Sequence, residues 1–152
     1  MILRFSERVA IDDEDGIAFG AYLGKDGVTR EAVLRTGPHG LAEIAVEGEP
    51  APGGGRYAGF GPWPTMEPGG VTAFIAAIDG APGSLAAFAG KVGDIRRVAT
   101  AGEKLPQGEV IGRFALNAVA AAGPGGALTF ATAAQEREER NAIYCRCPGQ
   151  AR

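Results

Sequence analysis

Apolar and polar positions along this chain follow one pattern three times. The polar, glycine-containing segment Asp12-Asp13-Glu14-Asp15-Gly16 opens onto the apolar run Ile17 to Leu23, Glu67-Pro68-Gly69-Gly70 onto Val71 to Ile78, and Gly123-Pro124-Gly125-Gly126 onto Ala127 to Ala133. The phenylalanines of these runs, Phe19, Phe74 and Phe130, lie 55 and 56 residues apart. Phe5, Phe60 and Phe114 keep a second register at 55 and 54 residues. A third landmark, Gly48-Glu49-Pro50-Ala51-Pro52-Gly53-Gly54, returns as Gly102-Glu103-Lys104-Leu105-Pro106-Gln107-Gly108, after Ile44-Ala45-Val46 in one case and Val98-Ala99-Thr100 in the other. Three landmarks at one interval mark a repeat architecture.

Apolar runs bounded by Gly, Pro and Asp read as short strands. In the second repeat they predict strands at about 70–78, 84–89, 94–100 and 110–119. Side chains alternate along a strand with period two, so Thr72, Phe74, Ala76 and Ile78 share one face and Val71, Ala73, Ile75 and Ala77 the other. The first repeat places Ile17, Phe19, Ala21 and Leu23 on the phenylalanine face, and the third places Leu128, Phe130, Thr132 and Ala134 there. The opposite face is mostly small, with Ala18 and Gly20, or Thr129, Ala131 and Ala133. Both faces are apolar, so each such strand is expected to be covered on both sides by stacked neighbours.

The units are drawn as a closing strand over 1–11, which aligns with 56–66, a first repeat over 12–66, a second over 67–121 and a partial third over 122–152. The third supplies strands at about 126–134 and 141–147. Four strands in a unit of about 55 residues suit a β-propeller blade. The expected fold is therefore all-β, a partial propeller of two full blades and a split third. Ala115 to Ala122 and Ala131 to Asn141 are rich in helix formers, but the register assigns strand followed by a long polar hairpin tip.

Composition agrees with a folded, turn-rich chain: 45% of the 152 residues are apolar, and 25 Gly and 10 Pro cluster between apolar runs. A formal charge of −3 without a Lys/Arg cluster offers no footprint for nucleic acid or an anionic membrane, so neither is expected as a main partner. Phe114 to Gln135 is uncharged and long enough to span a bilayer, but Gly123-Pro124-Gly125-Gly126 interrupts it. The N-terminus, Met1 to Arg8, lacks the features of a secretory signal. A cytoplasmic location is expected if the chain is complete, and export if it belongs to a longer protein.

The three openings read Asp12-x-x-Asp15-x-x-Ala18-Phe19, Glu67-x-x-Gly70-x-x-Ala73-Phe74 and Gly123-x-x-Gly126-x-x-Thr129-Phe130. On these residues the chain resembles the bacterial NxxGxxAF tandem-repeat proteins, in which such a motif opens each repeat. The leading Asn is replaced all three times, and the Gly stands in two of three copies. The resemblance implies a fold rather than an activity, and it implies longer, exported chains.

Candidate chemistry is sparse. Asp12, Asp13, Glu14 and Asp15 could supply carboxylate oxygens to Ca²⁺, but they lack the spacing of a helical calcium loop and the other repeats have Glu67 and Gly123 in place of Asp12, so the solvated acidic turn is the favoured reading. Trp63 and Tyr57, in Arg56-Tyr57-Ala58-Gly59-Phe60-Gly61-Pro62-Trp63-Pro64, could contact a sugar or a partner protein, or be core. His39, the single histidine, sits in Gly37-Pro38-His39-Gly40 and reads as an exposed turn residue. Cys145 and Cys147 at i and i+2 on a strand stand about 6.6–7 Å apart, at the upper limit for a disulfide. They read as free thiols, with a strained or intermolecular bridge or half of a metal site as alternatives. No nucleophile elbow, phosphate loop or dinucleotide fingerprint occurs, and no cofactor is implied.

The function these observations favour is a non-catalytic β-repeat module for assembly or protein interaction. The alternative is a propeller that binds a glycan or Ca²⁺, or hydrolyses a ligand, on loops between strands. The split third repeat leads to a homo-oligomer, most simply two chains completing one six-bladed ring with the tail of each completing the head of the other. A protein partner covering the edges is the other possibility.

Overall fold

Three antiparallel sheets follow one another along the chain in the computed structural model, which describes residues 1–37, 40–80, 85–104, 108, 110–112, 120–123, 127–132 and 142–146. The first sheet is a four-stranded meander of β1 (Ile2–Ile11), β2 (Ile17–Lys25), β3 (Val28–Gly37) and β4 (Gly40–Val46). In the second, β5 (Arg56–Phe60) and β6 (Thr65–Met66) both pair with β7 (Thr72–Asp79), which is followed by β8 (Leu85–Lys91) and β9 (Asp94–Thr100). The third comprises β10 (Ala120–Gly123), β11 (Ala127–Thr132) and β12 (Ala142–Arg146). The fold is all-β, with no helix among the described residues and no sheet closed on itself. Tight hairpins hold the meanders together: Asp26 and Gly27 turn between β2 and β3 with φ of 52° and 77°, the left-handed pair that matches the twist of the flanking strands.

The pairing registers fall at the intervals of the sequence. Ala10 opposes Ala18, Thr65 opposes Ala73 and Ala121 opposes Thr129. Ile2 with Leu23 corresponds to Tyr57 with Ile78, and Phe5 with Ala21 to Phe60 with Ala76. Bulges recur too, between Val33 and Leu34 in one sheet and between Ala87 and Phe88 in the next. The crossovers repeat the same hydrogen bonds. Gly48 N donates to Tyr57 O at 2.8 Å and Tyr57 N to Glu49 O at 3.0 Å, while Gly102 N donates to Ile111 O and Ile111 N to Glu103 O, both at 2.8 Å.

The sheets are phased one strand earlier than the repeat units drawn from sequence. Residues 1–11, read there as a closing strand, pair with β2 as the first strand of the first sheet, and the segment 56–66 pairs with β7 rather than with β4. The reason is local. The motif turn is a tight hairpin, with Asp12 N donating to Gly16 O and Glu67 N to Val71 O, each at 3.0 Å, so it joins two strands of one sheet. The Gly-Glu segments, by contrast, carry the chain from one sheet to the next. Of the strand expected at about 110–119 only 110–112 are among the described residues, with Val110 bridged to Lys104, and β10 starts beyond it at Ala120. The proposed hairpin tip at 133–141 lies outside them.

Packing follows the two-faced strands. Val33 and Ala45, on the small face of the first sheet, cluster with Tyr57, Phe60, Phe74 and Phe88 of the second. Ala87 and Ala99, the equivalent positions of the second sheet, cluster with Leu128 and Phe130 of the third. Phe74 is wholly buried, stacked on Phe88 at 5.5 Å between ring centres and edge-on to Phe60 at 5.8 Å. Offset and tilted aromatic contacts of this kind add to the free energy of burial. Phe74→Ala is therefore expected to cost about 3–5 kcal/mol, a large part of the stability of a domain this size. Thermal denaturation checks this: a mutant melting within a degree or two of the parent contradicts the placement of β7 between two sheets.

Candidate functional site

Two features common to the first two sheets concentrate polar side chains, and both lie where these sheets meet. The first is the motif turn. Asp12 Oδ1 accepts hydrogen bonds from Gly16 N at 2.6 Å and Glu14 N at 3.0 Å, closing the turn as an aspartate or asparagine does. Its Oδ2 accepts from Arg35 Nη2 at 3.1 Å, and the carboxylate is fully buried while Arg35 is largely so. Burial opposes ionisation of Asp12, but the amide donors of Gly16 and Glu14 and the Arg35 guanidinium outweigh it, so its pKa lies below the ordinary aspartate value.

The fourth motif position needs a left-handed backbone: Asp15 has φ 59° and Gly70, its equivalent, 79°. Gly70 also makes room, because a Cβ there would lie 2.3 Å from Arg35 Nη2. Arg35 thus holds the turn of its own sheet through Asp12 and lies on the turn of the next.

The four acidic residues are not gathered into a ligand set. Asp12 turns inward to Arg35 while Asp13, Glu14 and Asp15 are exposed. Among the described residues no group of three or more Asp, Glu, His or Cys side chains is placed to hold a metal ion.

The second feature is a pair of excursions in the first strands. β1 leaves its register with β2 between Phe5 and Val9, and residues 61–64 separate β5 from β6 at the equivalent place. Ser6 Oγ accepts from Gly20 N at 3.1 Å, serving an amide that the interrupted ladder leaves over. Gly61 N donates to Ile75 O at 2.8 Å in the second sheet. Arg8 and Trp63 occupy equivalent positions on the two excursions, and the Arg8 guanidinium carbon lies 4.8 Å from the centre of the indole, a cation–π contact. Beside them is a cleft of about 390 Å³ lined by Arg4, Ser6, Tyr22, Glu31, Phe60 and Pro62 among others. Two of its polar groups are held by protein partners: Arg4 lies over the Tyr22 ring at 3.9 Å, and Glu31 Oε2 accepts from Phe60 N at 3.0 Å.

Trp63 and Tyr57, paired as candidate contacts by the sequence, are separated. Trp63 is half-buried on the excursion, its indole N–H without a hydrogen-bond partner among the described residues. Tyr57 is a core residue, 4% exposed, with its ring against Phe60, Phe74 and Phe88, so it presents no surface to a ligand. Burial, reinforced by Glu49 and opposed by Arg97, pushes its phenol up to about 12. His39 and Cys147 lie outside the described residues, and Cys145 is placed by its backbone pairing with Thr129.

Sequence reasoning missed Arg35, Ser6, Arg8 and Glu31. The available signal for Arg35 was a charge in register opposite Ala18, on a face otherwise given to small residues.

A family model matches residues 11–151, almost the whole chain. The chain belongs to DUF7453, a family of unknown function. The DUF7453 match takes in the motif turns and strands β2 to β12. No curated protein and no solved structure matches the chain.

The Asp12 arrangement makes a pH-dependent contribution. Its folded-state pKa is lowered, so the stability it confers is present at neutral pH and is lost as pH falls below about 4, the ordinary aspartate value, and through the folded one. Asp12→Asn keeps the turn acceptor without the charge, and Asp12→Ala loses both. The expected order of melting temperature at pH 7 is parent, Asn variant, Ala variant, with the parent's advantage over the Asn variant shrinking between about pH 5 and pH 2. A gap that stays constant with pH contradicts the ion pair.

Proposed function

We propose that this DUF7453 chain is a non-catalytic β-repeat module whose work is assembly, its sheets arranged as successive propeller-like blades and its partner a second copy of itself. The observation that carries the reading is the reuse of one contact: Val33 and Ala45 meet the large face of the following sheet, and Ala87 and Ala99, at the same positions, meet the next. A unit that makes the same face-to-face contact each time it recurs can be extended by further units, in the same chain or another.

Three further observations support a blade-like arrangement. Each crossover runs from the last strand of one sheet to the first strand of the next, β4 to β5. The first strands lie together, β1 against β6 and β6 against β10, with the Thr65 hydroxyl donating to Ala120 O. The left-handed Asp15 and Gly70 occupy the glycine position of the NxxGxxAF motif that the sequence resembles. Three sheets from each of two chains would make a six-bladed ring. Because β1 is already bonded to β2, the chains would join by stacking faces rather than by lending a strand.

Sedimentation or light scattering across a concentration series tests the reading. A mass of twice 15.5 kDa that dissociates on dilution is expected. A strict monomer at every concentration overturns self-assembly. A thermal shift with Ca²⁺ or a glycan that Trp63→Ala abolishes would favour a ligand-binding module instead.

A further inference from the structure

We infer that the Phe19 face of the first sheet is a docking surface for a second copy of this chain, and that it takes the small-residue face of that copy's third sheet. The inference rests on the assembly reading and names its two surfaces.

Equivalent residues in different sheets provide the comparison. Phe5 and Phe60 hold the same place in their ladders, and each packs on the motif phenylalanine, at 5.5 Å from Phe19 and 5.8 Å from Phe74. Phe60 is 9% exposed and Phe5 is 62% exposed. The difference is the covering sheet: the first sheet lies over Phe60, and nothing among the described residues lies over Phe5. Other positions on this face behave alike. Ile2, Leu23 and Ile17 are half-buried, whereas their counterparts Tyr57, Ile78 and Thr72 are buried.

Val9 opposes Phe19 and Ile11 opposes Ile17, while Leu41 opposes Thr36 on the neighbouring strand, so all share the Phe19 face. All three are exposed. With Phe5 they form an apolar rim around a floor of Phe19 and Leu34, and a hollow of about 520 Å³ opens between Leu23, Leu34 and Leu41. Contiguous exposed apolar surface of this kind marks an interaction site.

The internal interfaces identify the occupant. Twice in this chain the large face is covered by the small face of another sheet, never by a second large face. Among the described residues, the small face left over belongs to the third sheet. Ala18 and Ala73 are fully buried there in the first and second sheets, and Thr129, at the same position in the third, is half-exposed. The two surfaces differ, so the contact is heterologous, and head-to-tail closure of two chains uses both surfaces of each.

Paired variants test this by complementation. Val9→Arg places a charge on the open large face, and Thr129→Arg places one on the open small face. Ile11→Lys and Ala127→Arg are the second pair, and circular dichroism melts establish that each variant is folded. Each variant alone is expected to sediment as a monomer where the parent is a dimer. An equimolar mixture of Val9→Arg and Thr129→Arg retains one intact interface and is expected to form a one-to-one dimer that dissociates at lower dilution than the parent. If the large-face variants keep the parent's mass, the surfaces assigned here are overturned while the assembly reading stands. Should only the large-face variants dissociate, with the small-face variants still dimeric, the contact is large face on large face and the heterologous assignment fails. A monomeric parent overturns both.

Discussion

The contact of a phenylalanine-bearing sheet face with an alanine-rich one constrains nearly everything else in this chain. Stacked sheets stand about 10 Å apart, so an aromatic ring reaching into that space needs a short side chain opposite it. Phe74 and Phe88 find Val33 and Ala45, and Phe130 finds Ala87 and Ala99. The same strand must then carry a large residue on one face and a small one on the other, which explains alternations such as Ile17-Ala18-Phe19-Gly20. It also explains why the middle sheet is the best-covered part of the molecule, with Phe74, Phe88, Ala86 and Ala87 fully buried.

Turn chemistry serves this stacking. The first motif turn is closed by the Asp12 carboxylate, and the Arg35 that neutralises it lies on the glycine of the second motif turn. Two hairpins from different sheets are thereby held in step at the end where the motif strands begin. On the crossover side, the Arg97 guanidinium donates to Gly54 O and faces the Phe88 ring, tying β9 to the loop that joins the first two sheets. Polar groups here align apolar faces, and Glu31 at the cleft is likewise bonded to the Phe60 amide of the next sheet.

Much of this was legible in the sequence because a period of two and an interval of about 55 residues are both visible in residue order. Phe19, Phe74 and Phe130 could be matched and their faces assigned from residue order alone. The phase of the sheets was not legible. A hairpin turn such as Asp12 to Gly16 and a crossover such as Glu47 to Gly55 are both rich in Gly and acidic residues, and only their hydrogen bonds tell which one separates sheets. Tyr57 was ambiguous for a related reason: among Gly and Pro it resembles a loop aromatic, and only its pairing with Ile78 places it in the core. The pairing of Arg35 with Asp12 joins residues 23 positions apart across a turn, a separation at which sequence pattern carries no information about contact.

Amide hydrogen exchange, read strand by strand on the chain at concentrations where it is monomeric, tests the stacking account most directly. Protection follows how completely an element is packed. The account predicts the slowest exchange in β7 and β8 of the middle sheet, covered on both faces, and faster exchange in β1, whose Phe5, Val9 and Ile11 are exposed. Slowest exchange in the first sheet, or protection that is uniform across the three sheets, would contradict it.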